Sequence, residues 1–386
     1  MSIRIRKLGL AAGSALGATA LLLAGCTSSG PAPAPTEGGG DAPAASGPDL
    51  AAAQAYLEPY QAADKQLIID EPLANPLPDG LKIAFLDVGT PVAGIMWDLI
   101  QPITELTGIE LVREPIGSTP EEQDAGMATV FEKGYDGVIN VTAEPQFYPN
   151  QAQKFVDAGI PIASASVMHT TEYDLPEGFN GPAFMEEVGR AQAAAAIVRT
   201  NGEATDFVFY PVNEFEFTGF QRDGFVEKMA ELCPDCTVRD VGIPIGEVIA
   251  QDPSRIVSDL ESHPETQYYV AAADEIMVPA PPLFDRAGVT TPGYGTWSIP
   301  PNLENVAGGL ADATFAEDFT LFMWTVVDQL FRELTDTPYE WPDPASSAPE
   351  VMMLLDQESA GQYLESHGYL AVPDFQEQFA ENWGVN

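Results

Sequence analysis

Short apolar runs alternate with longer segments of helical periodicity from Leu81 onward. Runs of this kind are typical of strands buried in a parallel sheet, whereas apolar residues three or four positions apart indicate amphipathic helices. The pattern predicts strands at residues 82–86, 110–113, 137–141, 160–165, 207–212, 237–241 and 268–272, with a further strand near Val289. It predicts helices at residues 91–107, 120–133, 149–158, 185–200, 219–232 and 319–334, and another that begins after Asp252.

Local signals support the predicted helix ends. Thr90 precedes Pro91, Thr119 lies three residues before Glu122 as in a capping box, and Gly108 follows the first helix. Two alternating units of similar length predict two α/β lobes, each wound around a parallel sheet. Because ligands bind beyond the carboxyl ends of parallel strands, two facing lobes would enclose a ligand in the cleft between them.

The first 25 residues have the features of a secretory signal peptide. Arg4, Arg6 and Lys7 precede an uncharged stretch that is too short to span a membrane and that ends in small residues before Cys26. The sequence Leu-Ala-Gly-Cys ending at Cys26 resembles the bacterial lipobox, which implies lipidation of this cysteine. A short anchor that is never cleaved is the alternative, and it would leave Cys26 without a role. Residues 26–48 are rich in Ser, Pro, Gly and Ala, which predicts an extended tether.

The charge balance restricts the partners. The chain has 58 Asp and Glu against 16 Lys and Arg, a formal net charge of −42. Nucleic-acid binding requires clustered basic residues, so this function is excluded, and an anionic membrane surface would repel the protein. We therefore expect contact with the membrane only through the lipid anchor, on the extracytoplasmic side of the cell membrane.

Few residues suggest catalytic chemistry. The chain has no Gly-rich phosphate loop, dinucleotide-binding fingerprint or nucleophile elbow, and His169, His263 and His367 lie far apart in sequence. We predict no catalytic residues, no metal and no cofactor.

Cys233 and Cys236 form a Cys-Pro-Asp-Cys segment, for which a short disulfide is the first interpretation in an oxidising compartment. A redox pair, part of a zinc site or two free thiols are the alternatives.

Several segments resemble the type I periplasmic binding proteins, the superfamily of ribose-binding protein. The similar segments are residues 82–86, 133–140, 158–162, 221–225 and 273–277, and their order and spacing extend the likeness from Leu81 to Leu334. The resemblance implies two lobes joined by a three-segment hinge, with a ligand cleft between them. It also implies that the protein is a monomeric substrate-binding lipoprotein of an ABC importer for sugars.

The resemblance also implies how the chain is divided. The first lobe is expected to comprise residues 81–182 and 318–336, and the second lobe residues 183–317 and 337–360. Residues 49–80 form an N-terminal lead-in, and residues 361–386 form a C-terminal extension.

Position by position, the resemblance places candidate ligand contacts in both lobes and at the hinge. These are Trp97, Asn140, Glu144, Ser166, Phe184, Gln221, Asp274, Tyr294, Trp297 and Glu317. Aromatic faces and convergent polar groups of this kind suit sugars. Several acids beside aromatic rings also suit a cationic or aromatic ligand.

The sequence thus favours a lipid-anchored receptor that closes around a small polar solute, such as a sugar or sugar-like compound, and delivers it to a membrane permease. A sensory lipoprotein that signals to a membrane receptor is the alternative, and genes for a kinase rather than a permease nearby would favour it. A hydrolase that uses Asp274 with Glu317 is a third hypothesis.

Overall fold

The computed structural model describes residues 47–366 and 368–385. The predicted signal peptide, the predicted lipidation residue Cys26, residues 26–46 of the predicted tether and His367 lie outside the described residues. No helix within the described ranges is long and apolar enough to cross a membrane.

The described chain folds into two sheets flanked by helices. The strands are β1 (Lys82–Asp87), β2 (Glu110–Pro115), β3 (Gly137–Val141), β4 (Ile162–Ala165), β5 (Asp206–Tyr210), β6 (Thr237–Asp240), β7 (Tyr268–Ala271), β8 (Gly293–Trp297), β9 (Ala313–Glu317) and β10 (Met352–Asp356). The helices before β7 are α1 (Leu50–Leu57), α2 (Pro91–Thr107), α3 (Pro120–Lys133), α4 (Pro149–Ala158), α5 (Pro182–Arg199), α6 (Glu216–Leu232), α7 (Ile245–Ile249) and α8 (Ser254–Ser262). The later ones are α9 (Ala280–Ala287), α10 (Pro300–Ala307), α11 (Phe319–Leu334), α12 (Pro344–Val351), α13 (Gln357–Ala360) and α14 (Phe375–Trp383).

Each sheet has the strand order of a doubly wound α/β unit. The first sheet is parallel throughout, in the order β2-β1-β3-β4. The second has the order β10-β9-β8-β7-β5-β6 and is parallel except for β10, which pairs antiparallel with β9. This confirms the predicted fold class of two parallel-sheet lobes.

The chain passes between the lobes more than once. After β9 in the second sheet, α11 returns to pack on α2, β3 and β4 of the first lobe. The chain then runs through α12, which packs on α5, into β10 of the second sheet. Asp318, at the β9–α11 junction, caps α11 by accepting hydrogen bonds from the backbone N–H groups of Thr320 and Leu321 at 3.0 and 2.9 Å.

The strand predicted near Val289 is wrong. Val289 follows Gly288, which ends α9 with a left-handed backbone (φ 70°), and the strand begins four residues later at Gly293. Strand β9 has no counterpart in the sequence prediction, because it is buried throughout and lacks the alternation that marks a half-buried strand. The structure joins Cys233 and Cys236, just after α6, by a disulfide.

Candidate functional site: the cavity between the lobes

A cavity lies where the carboxyl ends of the strands of both lobes face each other. Its volume is about 40 Å³. The first lobe contributes Val92 and Met96 from α2, Thr142 after β3 and Ser166 after β4. The second lobe and the hinge contribute Phe215, Phe217, Ala272, Ala273, Glu275, Trp297, Ile299, Glu317 and Phe319. The cavity therefore occupies the position at which parallel sheets bind ligands.

The backbone at this cavity is held in an unusual conformation. Thr142, Ser166, Trp297 and Ser298 have positive φ angles of 63°, 55°, 88° and 59°, although none of them is glycine. Ser166 is fixed by Asn180, whose Oδ1 accepts from the Ser166 N–H at 2.7 Å and whose Nδ2 donates to Ser166 Oγ at 2.8 Å. Sparsely populated backbone conformations of this kind cluster at functional sites, where surrounding contacts hold them in place.

Aromatic side chains form one wall of the cavity. The rings of Phe215 and Phe217 stack with centroids 5.3 Å apart, and Phe217 meets Trp297 edge to face at 5.9 Å. The indole Nε1 of Trp297 donates to the carbonyl of Ala272 at 2.8 Å, which fixes the ring orientation. Such a wall can pack against the C–H face of a sugar ring or against a cation.

Two buried carboxyl groups face the same cavity. Glu317 ends β9 and is 2% exposed, and its Oε1 has no hydrogen-bond partner among the described residues. Glu275 follows β7 and is 4% exposed. Burial raises the pKa of both groups, that of Glu317 well above its usual range. None of the described residues that line the cavity is Lys, Arg or His.

The structure brings three of the ten predicted contacts to this cavity, namely Ser166, Trp297 and Glu317. Two predicted polar residues instead stabilise the local structure, Asn140 a turn after β3 and Asp274 the start of α10. Asn140 donates to the carbonyl of Ala143 at 2.8 Å, and Asp274 accepts from the N–H of Ile299 at 2.8 Å and from Asn302. Since Asp274 does not line the cavity, it does not form a pair with Glu317 there.

The other five predicted contacts are used within the lobes. Glu144 accepts hydrogen bonds from the N–H groups of Met168 and His169 at 2.9 and 3.3 Å. Tyr294 donates to the carbonyl of Gln192 at 2.6 Å. The remaining three pack against neighbours, with Gln221 Nε2 on Met185 Sδ, Phe184 on Phe179 and Trp97 on Phe85.

Sequence reasoning missed most of the apolar lining. Phe215 and Phe217 come shortly after β5, Thr142 and Ala273 directly follow predicted strands, and Ala272 is the last residue of one. The rule that ligands bind beyond the carboxyl ends of strands could have identified these positions, because it depends on strand ends and not on residue type.

A second cavity of about 70 Å³ adjoins this site and involves the C-terminal extension. Glu317 and Phe319 line both cavities, and the described residues Ser366, Gly368, Tyr369 and Leu370 line the second one. The N–H of Ala371 donates to Asp318 Oδ2 at 2.7 Å, which fixes this segment to the β9–α11 junction.

Comparisons with known proteins agree on the fold. No protein-family model and no curated protein matches the chain. A carbohydrate transporter from Acidothermus cellulolyticus in complex with myo-inositol matches with TM-score 0.62 and 12% identity, over 75% of this chain and 98% of the other. An ABC transporter solute-binding protein from Agrobacterium vitis with bound allitol matches with TM-score 0.60 and 16% identity, over 74% and 99%.

A protein from Bacteroides fragilis assigned as a LacI transcriptional regulator also matches, with TM-score 0.57 and 15% identity, over 74% of this chain and 100% of the other. TM-scores of 0.57 to 0.62 at identities of 12% to 16% show a shared fold and nothing beyond it. The chain therefore has the fold of the type I periplasmic binding proteins, with its candidate site in the cleft between the lobes.

Proposed function

We propose that this protein is a lipid-anchored, extracytoplasmic solute-binding protein of an ABC importer. It captures a small polar solute, a sugar or sugar-like compound, in the cleft and delivers it to a membrane permease without transforming it. The observation that carries this proposal is the cavity at the facing carboxyl ends of the strands, lined by residues of both lobes.

The lining chemistry supports a solute of this kind. Thr142, Ser166 and the two glutamates offer hydrogen-bonding groups, while the Phe215–Phe217–Trp297 wall offers apolar ring faces. Structures with the same fold were determined with myo-inositol and allitol bound. The LacI-type alternative is disfavoured, because a net charge of −42 opposes binding to DNA.

The size of the cavity supports a hinge mechanism. One water molecule needs about 10–15 Å³, so a cavity of about 40 Å³ holds only three or four. A sugar therefore requires the lobes to separate before it enters, and contacts from both lobes favour the closed state once it is bound.

A thermal-shift screen across sugars, polyols, nucleosides, amines and aromatic acids tests binding. A true ligand at 100 times its Kd stabilises the folded state by about 2.7 kcal/mol, which raises the melting temperature. Phe217→Ala removes part of the aromatic wall and is expected to weaken binding. Phe284→Ala removes a half-buried ring of the second lobe that does not line the cavity, and it serves as the matched control.

Small-angle scattering with the ligand from that screen tests hinge closure, and chromatography of the recovered solute tests that it is unchanged. Identical scattering profiles with and without ligand would contradict closure, and a chemically altered solute would contradict pure binding.

Cys26→Ser is expected to move the protein from the membrane fraction to the soluble fraction. Unchanged membrane association of this variant would contradict the lipid anchor.

A further inference from the structure

The cavity between the lobes is lined by acidic side chains without a basic side chain beside them among the described lining residues. Glu275 and Glu317 are both more than nine-tenths buried and both line it, and the described lining residues include no basic side chain. Burying an ionised carboxyl group is costly unless a cation or several hydrogen-bond donors compensate it. Oε1 of Glu317 has neither partner among the described residues.

Other buried carboxylates of this protein are compensated. Asp318, the next residue, accepts three backbone hydrogen bonds, from Thr320, Leu321 and Ala371. Asp328 is paired with Arg332 at 2.6 Å. Glu317 differs from these two acids in that it lines a cavity and has an oxygen without a partner among the described residues, so a solute in the cavity can supply the missing partner.

The aromatic wall adds a second, independent preference. The rings of Phe215, Phe217, Trp297 and Phe319 line the same cavity as the two carboxyl groups. The electron-rich faces of aromatic rings attract cations, and this attraction increases when the cation is removed from water. A neutral sugar would satisfy the hydrogen-bonding capacity of the carboxyl groups but would not supply the positive charge that an ionised carboxylate needs once it is removed from water.

We propose that the solute is a sugar-like compound or polyol that carries a protonated amino group, and that Glu317 receives this group, with Glu275 as the second acid. This inference rests on the proposed solute-binding function and specifies its ligand class. The binding energy comes from a charge-assisted hydrogen bond formed in a water-poor cavity, which is stronger than the neutral hydrogen bond of a hydroxyl group in the same place.

Matched pairs of probes test this inference on the soluble chain that begins after Cys26. The pairs are D-glucosamine with D-glucose, D-glucamine with D-glucitol, and an amino-inositol with myo-inositol, each measured by thermal shift and by calorimetry. Since hydrogen bonds to charged groups exceed neutral ones by about 1 kcal/mol or more, we expect the aminated member of at least one pair to bind about fivefold more tightly or better.

Two variants identify the group responsible. Glu317→Gln keeps the size of the side chain and is expected to abolish the preference for the amine. Glu275→Gln is expected to reduce this preference and provides a second test if the first variant does not fold. Retention of the full preference by both variants would overturn the assignment to these acids.

The outcomes separate this inference from the proposed function. If neutral members of the pairs, or neutral solutes of the wider screen, bind as tightly as the aminated probes or more tightly, the amine inference is overturned and the solute-binding function stands. If no solute in either set shifts the melting temperature or binds in calorimetry, both are overturned.

Discussion

The buried ion pair on α11 gives the sharpest stability prediction. Arg332 and Asp328 have side chains that are 0% and 1% exposed, and Arg332 Nε donates to Asp328 Oδ2 at 2.6 Å. The pair also holds both terminal segments of the described chain. Arg332 Nη2 donates to the carbonyl of Glu71 at 2.6 Å, and the indole of Trp383 on α14 donates to Asp328 Oδ1 at 2.8 Å.

Asp328→Asn changes the charge with little change in size. It leaves the Arg332 guanidinium buried without a counter-ion, while Nη1 of Arg332 already has no hydrogen-bond partner among the described residues. Removing one member of a buried pair costs about 3–5 kcal/mol, so we expect the free energy of unfolding to fall by this amount. The double variant Asp328→Leu/Arg332→Met removes both charges and is expected to recover most of the loss.

Urea denaturation followed by tryptophan fluorescence measures this change. Trp324 on α11 and Trp383 on α14 stack with centroids 5.5 Å apart, so their emission reports separation of the two helices. A loss below about 1 kcal/mol in Asp328→Asn would refute the reasoning, because the charge would then be solvated. A double variant as unstable as the single one would refute it too, since lost packing would then be the cause.

Two further predictions concern stability. Burial raises the pKa of Glu144 and of Asp318 to about 6 in the folded chain. Because these values exceed the unfolded ones, the folded state binds more protons between about pH 4 and 6, and the free energy of unfolding should increase as the pH falls through this window. We expect the melting temperature to be a few degrees higher at pH 5.5 than at pH 7.5, and a lower one would contradict this. Gly224→Ala places a Cβ 1.9 Å from the carbonyl oxygen of Glu186 and should cost about 1–3 kcal/mol in urea denaturation. The control is Gly219→Ala on the same helix, where an added Cβ has no atom within 4 Å. An equal loss in this control would assign the effect to the helix itself and not to the close approach of α6 to Glu186 on α5.

The parts of the fold with strong local signals could be predicted from the sequence. The bounds of β3, α4 and α11 agree with the predicted residues 137–141, 149–158 and 319–334. These elements begin or end at residues with a defined backbone role, such as the left-handed Gly159 after α4 and the cap Asp318 before α11. Strand β9 lacks such signals, since its place is fixed by pairing with β8 and β10.

The location of the site was predictable, but most of its residues were not. Asn140 and Asp274 lie at the correct edge of the sheets, yet Asn140 bonds to the backbone of the turn after β3 and Asp274 to the backbone of Ile299 before α10. Asn and Asp commonly make such local bonds, and sequence alone does not distinguish this use from ligand binding. Phe217 and Glu275 face the cavity because of the path of the chain after each strand, which tertiary contacts determine.

The N-terminal lead-in bears on how the cleft can move. Up to Gln66 it is attached to the second lobe, since Tyr56 donates to Glu187 on α5 at 2.7 Å and the N–H of Gln66 donates to Glu350 on α12 at 2.7 Å. From Glu71 onward it contacts α11 of the first lobe. The intervening residues 67–70 contain no helix or strand and must absorb any change in the angle between the lobes. Three of these four residues are buried apolar side chains, so we expect any change in the angle between the lobes to alter their packing.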